Sequence, residues 1–508
     1  MSRYNLIDEK WIPARLLSGT RDELGIRATL LRAKEIAAIE DDSPLVVAAL
    51  HRFLLAVLYR SLEGPTDIDQ AKVFFNTGFP GDKIEAYLEK WRGRFWLFDE
   101  RYPFGQIPSF EPKEWRAWPA IATEHNADNA KVLFDHVDVR NPGTITEGAA
   151  LRWLLATQAF SVGSGKSELS YTSGAPSATA AMVLPLGRNL QDTLLFALVP
   201  QNREVLEGDI PLWEREPETV DDLKEGIKRP ADGLADRYFW RTRAIRLAND
   251  PVGGVACLAF ASGTGFDSAN QADPMLAYRE DDKFGILPIR FRERGLWRDF
   301  DSLLPDSSNL APRAIEHATA LAKAEQTRFP HAVMVLGLAN DKAKIEFWRM
   351  ERFALPGALT GDRVIRSDFH RFLKTAEETQ SALWSACSDF ARDLIARGDR
   401  DPHKKDVRGF VSQMPCIPWY WSTLEAKFHE ILQAYTLGKN PDAIELSWLQ
   451  SVRSAIRDAW DQHCASVSMG DAWSIRAVVK AEIQIRRKLK ELDVKIADFK
   501  KSLSKEDA

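Results

Sequence analysis

The chain has 508 residues, 45% hydrophobic and 28% charged, with 29 glycines and 26 prolines. That globular composition excludes a wholly disordered or fibrous protein and fits two to four domains at roughly 100–200 residues each. Its 68 basic and 73 acidic residues leave a net charge of −5, so no global positive field marks a nucleic-acid binder and any such contact must come from local patches.

Along the chain, Asn5 to Ile12 reads as a short strand closed by Pro13. Ser43 followed by Pro44 is an N-cap with proline at the first helical position, opening a helix over Leu45 to Leu62. The apolar run inside it, Val46 to Tyr59, is interrupted by His51 and Arg52 and falls short of the roughly 20 residues of a membrane span. Met1 to Asn5 lacks the apolar segment of a signal peptide. No membrane partner is expected, and the expected compartment is the cytoplasm. Arg94 to Phe98 reads as a strand, Leu151 to Phe160 as a helix, and the Gly-, Ser- and Thr-rich stretch Ser161 to Ser177 as a loop. Ala181 to Leu186, Thr193 to Val199 and Phe284 to Phe291 read as further strands.

After a hinge at Pro356 to Asp362, strand signals give way to helical periods. Ile365, Phe369, Phe372, Ala376, Leu383, Cys387, Phe390 and Leu394 line one helical face. Ser422-Thr423-Leu424-Glu425 reads as a capping box opening a second helix that Gly438 closes, and Asp442 to Cys464 forms a third. In a fourth, Ile485, Leu489, Leu492, Ile496, Phe499 and Leu503 make a seam. The expected architecture is α+β: a mixed N-terminal globular domain over 1–362, then an all-α four-helix bundle over 363–508.

Gly163-Ser164-Gly165-Lys166-Ser167 resembles a phosphate-cradling turn. The full spacing fails, because Phe stands at position 160 where the motif needs Gly, and a helix instead of a strand precedes the turn. Cys257, Cys387, Cys416 and Cys464 lie dozens of residues apart, without paired metal-ligand spacing, and the nine histidines form no His-x-x-x-His pair. No metal or cofactor is expected. The run Arg476 to Lys490 carries six basic residues against Glu482 alone. Within it Arg486, Arg487 and Lys488 are interleaved with the seam residues Ile485 and Leu489, so the helical period turns part of this set outward, toward a DNA backbone or simply toward solvent.

As a set, these segments resemble the large subunit of the type I-E CRISPR surveillance complex, Cascade, the CasA family. The resemblance is carried by Asn5-Leu6-Ile7-Asp8-Glu9-Lys10-Trp11-Ile12-Pro13, by Phe95-Trp96-Leu97-Phe98 with Tyr102-Pro103-Phe104-Gly105-Gln106, by the glycine loop, Lys283-Phe284, the Asn340 to Ile345 turn and the helical C-terminal third, in that order. It implies a non-enzymatic subunit that reads the protospacer-adjacent motif in double-stranded DNA, helps start strand separation and docks a helicase-nuclease. Its implied partners are guide RNA, the other Cascade subunits and target DNA.

Residue by residue, the resemblance implies that Val162, Gly163, Ser164 and Gly165 lie against the minor groove, where small residues permit close approach. Lys283 matches a lysine finger. Lys342 stands where the family carries a glutamine wedge, with Asn340 and Lys344 as neighbours able to share that role. Lys131 to His136 matches a segment that meets the guide RNA handle and DNA, with Lys131 and Phe134 as the contacts. Two other classes compete: a phosphate-handling, nucleotide-binding enzyme built on Gly163 to Ser167, and a helical protein-binding scaffold.

Overall fold

The computed structural model describes residues 4–122, 124–125, 138, 141–163, 165–250, 252–267, 272–281, 285–291, 294–304, 309–323, 328, 330–341, 344–355, 363–468 and 470–506. The chain divides into two compact units, Met1–Arg294 with Ser302–Arg352, and Gly295–Asp301 with Phe353–Ala508. The hinge expected at 356–362 lies outside the described residues.

The first unit is built around helix α1 (Pro44–Leu62), which the Ser43 side chain caps by accepting from the Val46 amide. All of its residues except Pro44 and Arg60 are buried. It is long and apolar enough to cross a membrane, yet it is the core helix of this unit. Two of its buried polar side chains bond to other parts of the unit: Arg52 donates to Asp273 at 2.8 Å and the Tyr59 hydroxyl donates to the Val199 carbonyl at 2.8 Å. Phe53 is ringed by Trp11, Phe104, Trp213 and Phe239 at centroid distances of 5.7 to 5.9 Å.

Three of the expected strands are corrected. The strand near the N-terminus is β1 (Ile12–Leu16), pairing antiparallel with both β2 (Arg21–Leu24) and β3 (Ile36–Ile39). Pro13 sits inside that strand instead of closing it, and Asn5 makes only an isolated bridge to Trp96. Arg94 to Phe98 is no extended strand: it makes the single bridge at Trp96, flanked by the Leu6 amide donating to the Phe95 carbonyl at 2.9 Å and the Leu97 amide donating to the Tyr4 carbonyl at 2.8 Å, with Phe95 and Leu97 fully buried. Thr193 to Val199 belongs largely to a helix, α3 (Leu190–Ala197), capped by Asn189. That helix is buried on every side, which erases the one-sided pattern that betrays a surface helix.

The expected helix after residue 150 is α2 (Glu147–Phe160), capped by Thr146. Beyond it come β4 (Met182–Leu186), the antiparallel pair β5 (Arg243–Asn249) and β6 (Val255–Ser262), the hairpin β7 (Tyr278–Asp281) and β8 (Gly285–Pro288), and the long strands β9 (Ala332–Asp341) and β10 (Lys344–Ala354).

The second unit is helical, and with the mixed first unit it makes the fold α+β. It contains α4 (Arg363–Ala396), a short α5 (Lys404–Ser412) that the sequence reading lacked, α6 (Cys416–Thr436), α7 (Pro441–Ser466) and α8 (Ala472–Glu506). Phe369, Phe372, Ala376, Leu383, Cys387 and Phe390 of α4 are buried along one face. Ser422 to Glu425 is no capping box: α6 begins at Cys416, and the Ser422 and Thr423 hydroxyls donate back to the Trp419 carbonyl. Gly438, at φ +67°, does end it. Cys387 and Cys416 are neighbours in the bundle core, next to His463, although the sequence places them far apart.

Candidate nucleic-acid interface

The glycine loop leaves α2 at Phe160 and folds into two limbs. The Ala175 amide donates to the Ser161 carbonyl at 2.8 Å, the Thr172 amide donates to the Gly165 carbonyl at 2.9 Å, and the Ser167 amide donates to the Ser170 carbonyl at 2.8 Å. A Cβ on Gly163 would lie 3.1 Å from the Gly174 nitrogen and 3.2 Å from the Thr172 oxygen, so the close approach of the limbs accounts for glycine there. Gly165 adopts φ +44° with open space around it, a conformation that a side-chain-bearing residue rarely takes. Gly163, Gly165 and Lys166 are exposed, Val162 is half-buried, and Ser164 lies outside the described residues.

Three features hold this loop from beneath. Arg243, at the start of β5 and 2% exposed, donates to the carbonyls of Val162 at 2.7 Å and Ser173 at 2.9 Å, one on each limb. Ser262 of β6 accepts from the Ser170 amide at 2.9 Å and from the Ser167 hydroxyl at 2.8 Å. Gln158, in the last turn of α2, brackets the Arg243 backbone, accepting from its amide and donating to its carbonyl, both at 2.8 Å. The sequence reading missed Arg243, Ser262 and the exposed Tyr171, which is bridged to Lys166 across the limbs. Lys166 to Tyr171 is an isolated bridge and turn, so no helix follows the Gly-Lys-Ser sequence as a nucleotide-binding turn would require.

Strand β4 has a neighbour on each side. On one edge it pairs antiparallel with β9, Met182 opposite Leu336. Near its start the chain bridges Arg290 through Ala180 and Leu276 through Met182, the two roots of the β7–β8 hairpin. The glycine loop runs into the same strand through Ser177 to Ala180. Asn340 lies near the end of β9 and Lys344 opens β10. Lys342 belongs to the connection between those strands and Lys283 to the connection between β7 and β8; both residues lie outside the described residues, as do Lys131 and Phe134.

In the second unit, α8 separates the three basic residues. Arg486 and Arg487 are exposed, Arg486 bonding to Glu482 at 3.0 Å. Lys488 is corrected: it is 8% exposed and its ammonium pairs with Glu491 at 3.0 Å. The buried line runs Ala477, Ala481, Ile485, Lys488, Leu492, Ile496, so Lys488 fills the position expected for Leu489, packing its stem inward while its charged end reaches out. Among the described residues, no group of three His, Cys, Asp or Glu side chains could hold a metal ion.

The family model for CRISPR-associated protein Cse1 matches residues 5–459. The CRISPR-associated protein CasA/Cse1 of Thermus thermophilus is 33% identical over 504 residues, covering 97% of this chain and 98% of its own. The solved structure of Thermus thermophilus CasA (Cse1) superposes with a TM-score of 0.84 at 31% identity, covering 97% of this chain and 100% of that one. A chain of a CRISPR RNA-guided surveillance complex has the same fold, with a TM-score of 0.74 at 18% identity over 97% of this chain and 100% of its own. A match of this extent spans both the mixed unit with its glycine loop and most of the helical unit, and by it the chain belongs to the Cse1 (CasA) family of CRISPR-associated proteins.

Proposed function

We propose that the chain is the non-catalytic large subunit of a type I-E RNA-guided surveillance complex. In this reading it recognises the protospacer-adjacent motif in double-stranded DNA, promotes strand opening and recruits a helicase-nuclease. The observation that carries the reading is the pinned loop whose exposed Gly163 and Gly165 offer bare backbone at the surface, in a member of the Cse1 family. A backbone without side chains can enter the minor groove, whose coarse pattern of acceptors suits a short, tolerant motif. Guide RNA then supplies the long specificity by base pairing, the division of labour known for another effector. Lys283 is assigned as a donor to groove acceptors, Lys342 as the wedge with Asn340 and Lys344 beside it, and Lys131 and Phe134 as contacts to the guide handle.

The test is binding and strand-opening kinetics of the assembled complex on targets with correct and scrambled motifs. Gly165→Val should weaken binding to the correct motif and spare the scrambled one. Lys283→Ala should lose about 1–3 kcal/mol of discrimination. Lys342→Ala should leave initial binding intact and slow opening, since a wedge acts on unstacking. Equal losses on both targets for the first two variants would remove the motif-reading role, and a normal opening rate for the third would remove the wedge.

A further inference from the structure

We infer that Arg243 is the positioning residue of the motif-reading loop, a buried cation that fixes the spacing of its two limbs; the inference rests on the assignment of that loop to the motif. Arg243 is 2% exposed, and among the described residues no carboxylate pairs with it. Its guanidinium donates to three backbone carbonyls: Val162 at 2.7 Å, Ser173 at 2.9 Å and Thr242 at 2.9 Å. Burial pushes its pKa down to about 10, which still leaves it a cation at neutral pH.

A buried charge without a counter-charge is costly. Cross-linking two limbs would by itself need only a neutral donor. What the guanidinium adds is a rigid planar fork that spans both carbonyls at once and a fixed positive charge below the exposed glycines, where a polyanion would dock. Its own position is set by the two bonds from Gln158 and by the Thr242 hydroxyl, which donates to the Gln158 carbonyl at 2.6 Å. The bond to Val162 lies one residue from Gly163 and the bond to Ser173 one residue from Gly174, the pair that Gly163 lets approach. Arginine and glycine thus act at the same level of the loop, one drawing the limbs together and the other removing the side chain that would part them.

Arg243→Lys keeps the charge and loses the fork. In the full chain assembled with guide RNA and its sister subunits, Arg243→Lys should speed hydrogen exchange at the Thr172 and Ala175 amides about tenfold. It should cut discrimination between correct and scrambled motifs by a similar factor, with binding to the scrambled target unchanged. Gly165→Val is run beside it. Lost discrimination in Gly165→Val with full discrimination in Arg243→Lys overturns the clamp and leaves the loop's role standing; full discrimination in both overturns the two together. Faster exchange with intact discrimination reduces Arg243 to a structural residue and also overturns the inference. If Arg243→Lys does not assemble, the wild-type loop decides: Thr172 and Ala175 amides exchanging as slowly as those of β5 support the clamp, and exchange at the rate of an open loop overturns it.

Discussion

The hydroxyl of Ser167 donates to that of Ser262 at 2.8 Å, and the Ser262 amide returns a bond to the Ser167 oxygen at 2.9 Å. This reciprocal pair commits to β6 the one hydroxyl that a Gly-Lys-Ser phosphate turn would need for magnesium. The full chain is therefore expected to show no ATP turnover. Metal-dependent hydrolysis that disappears in Lys166→Ala, measured by phosphate release, would reinstate the nucleotide-binding reading.

Ser262 is also the acceptor for the Ser170 amide. Ser262→Ala strips that acceptor from a half-buried backbone group, and leaving such a group unpaired costs about 1–3 kcal/mol. The expected result is a lower denaturation midpoint together with faster amide exchange at Ser170. A midpoint equal to wild type would mean that water replaces the serine without loss and that the loop is not held through β6.

Arg486 and Arg487 project from α8 while Lys488 is packed inward, which separates their predicted effects. If the exposed pair meets phosphates in the assembled complex, each alanine replacement flattens the dependence of log affinity on log salt by about 0.9. Lys488→Ala should leave the slope alone and lower the stability of the bundle. An unchanged slope in Arg486→Ala/Arg487→Ala identifies the pair as a solvated face.

The helix starting at Pro44 was legible because an N-cap serine and a proline at the first position report local backbone chemistry, and the same holds for the glycine that ends α6. Burial on all sides hid α3, since a segment with no polar face carries no period to read. Lys488 was misplaced because periodicity ranks Leu489 above lysine, whereas a long aliphatic stem can occupy a seam as long as its ammonium finds Glu491. The candidate loop was visible from its glycines. Its support was not: Arg243 meets Val162 across 81 residues of chain, and a tertiary hydrogen bond to a carbonyl leaves no mark on the identity of the residue that accepts it.

Two buried histidines and one half-buried carboxyl of the first unit set opposing responses to pH. Burial lowers His51 and His317 from the ordinary 6.5 to about 4, so both are held neutral in the folded chain. Because the unfolded chain takes up protons first, the stability these two contribute is complete above about 6.5 and is lost as pH falls toward 4. Glu124 behaves in the opposite sense. Burial pushes its carboxyl up to about 7 against the hydrogen bond from Ser43, with Asp41 and Asp42 adding to the rise. Its contribution is complete below its ordinary 4.5 and is lost as pH rises through about 7. Glu124→Gln removes that second loss alone. The variant should match wild type at pH 4 and exceed it at pH 8 by on the order of 1 kcal/mol, the partly solvated carboxyl being screened. Denaturation midpoints taken at half-unit steps from pH 4 to 8 test this, and a variant whose curve parallels wild type through pH 7 would show that Glu124 ionises freely in the folded chain, leaving the acid-side decline to His51 and His317.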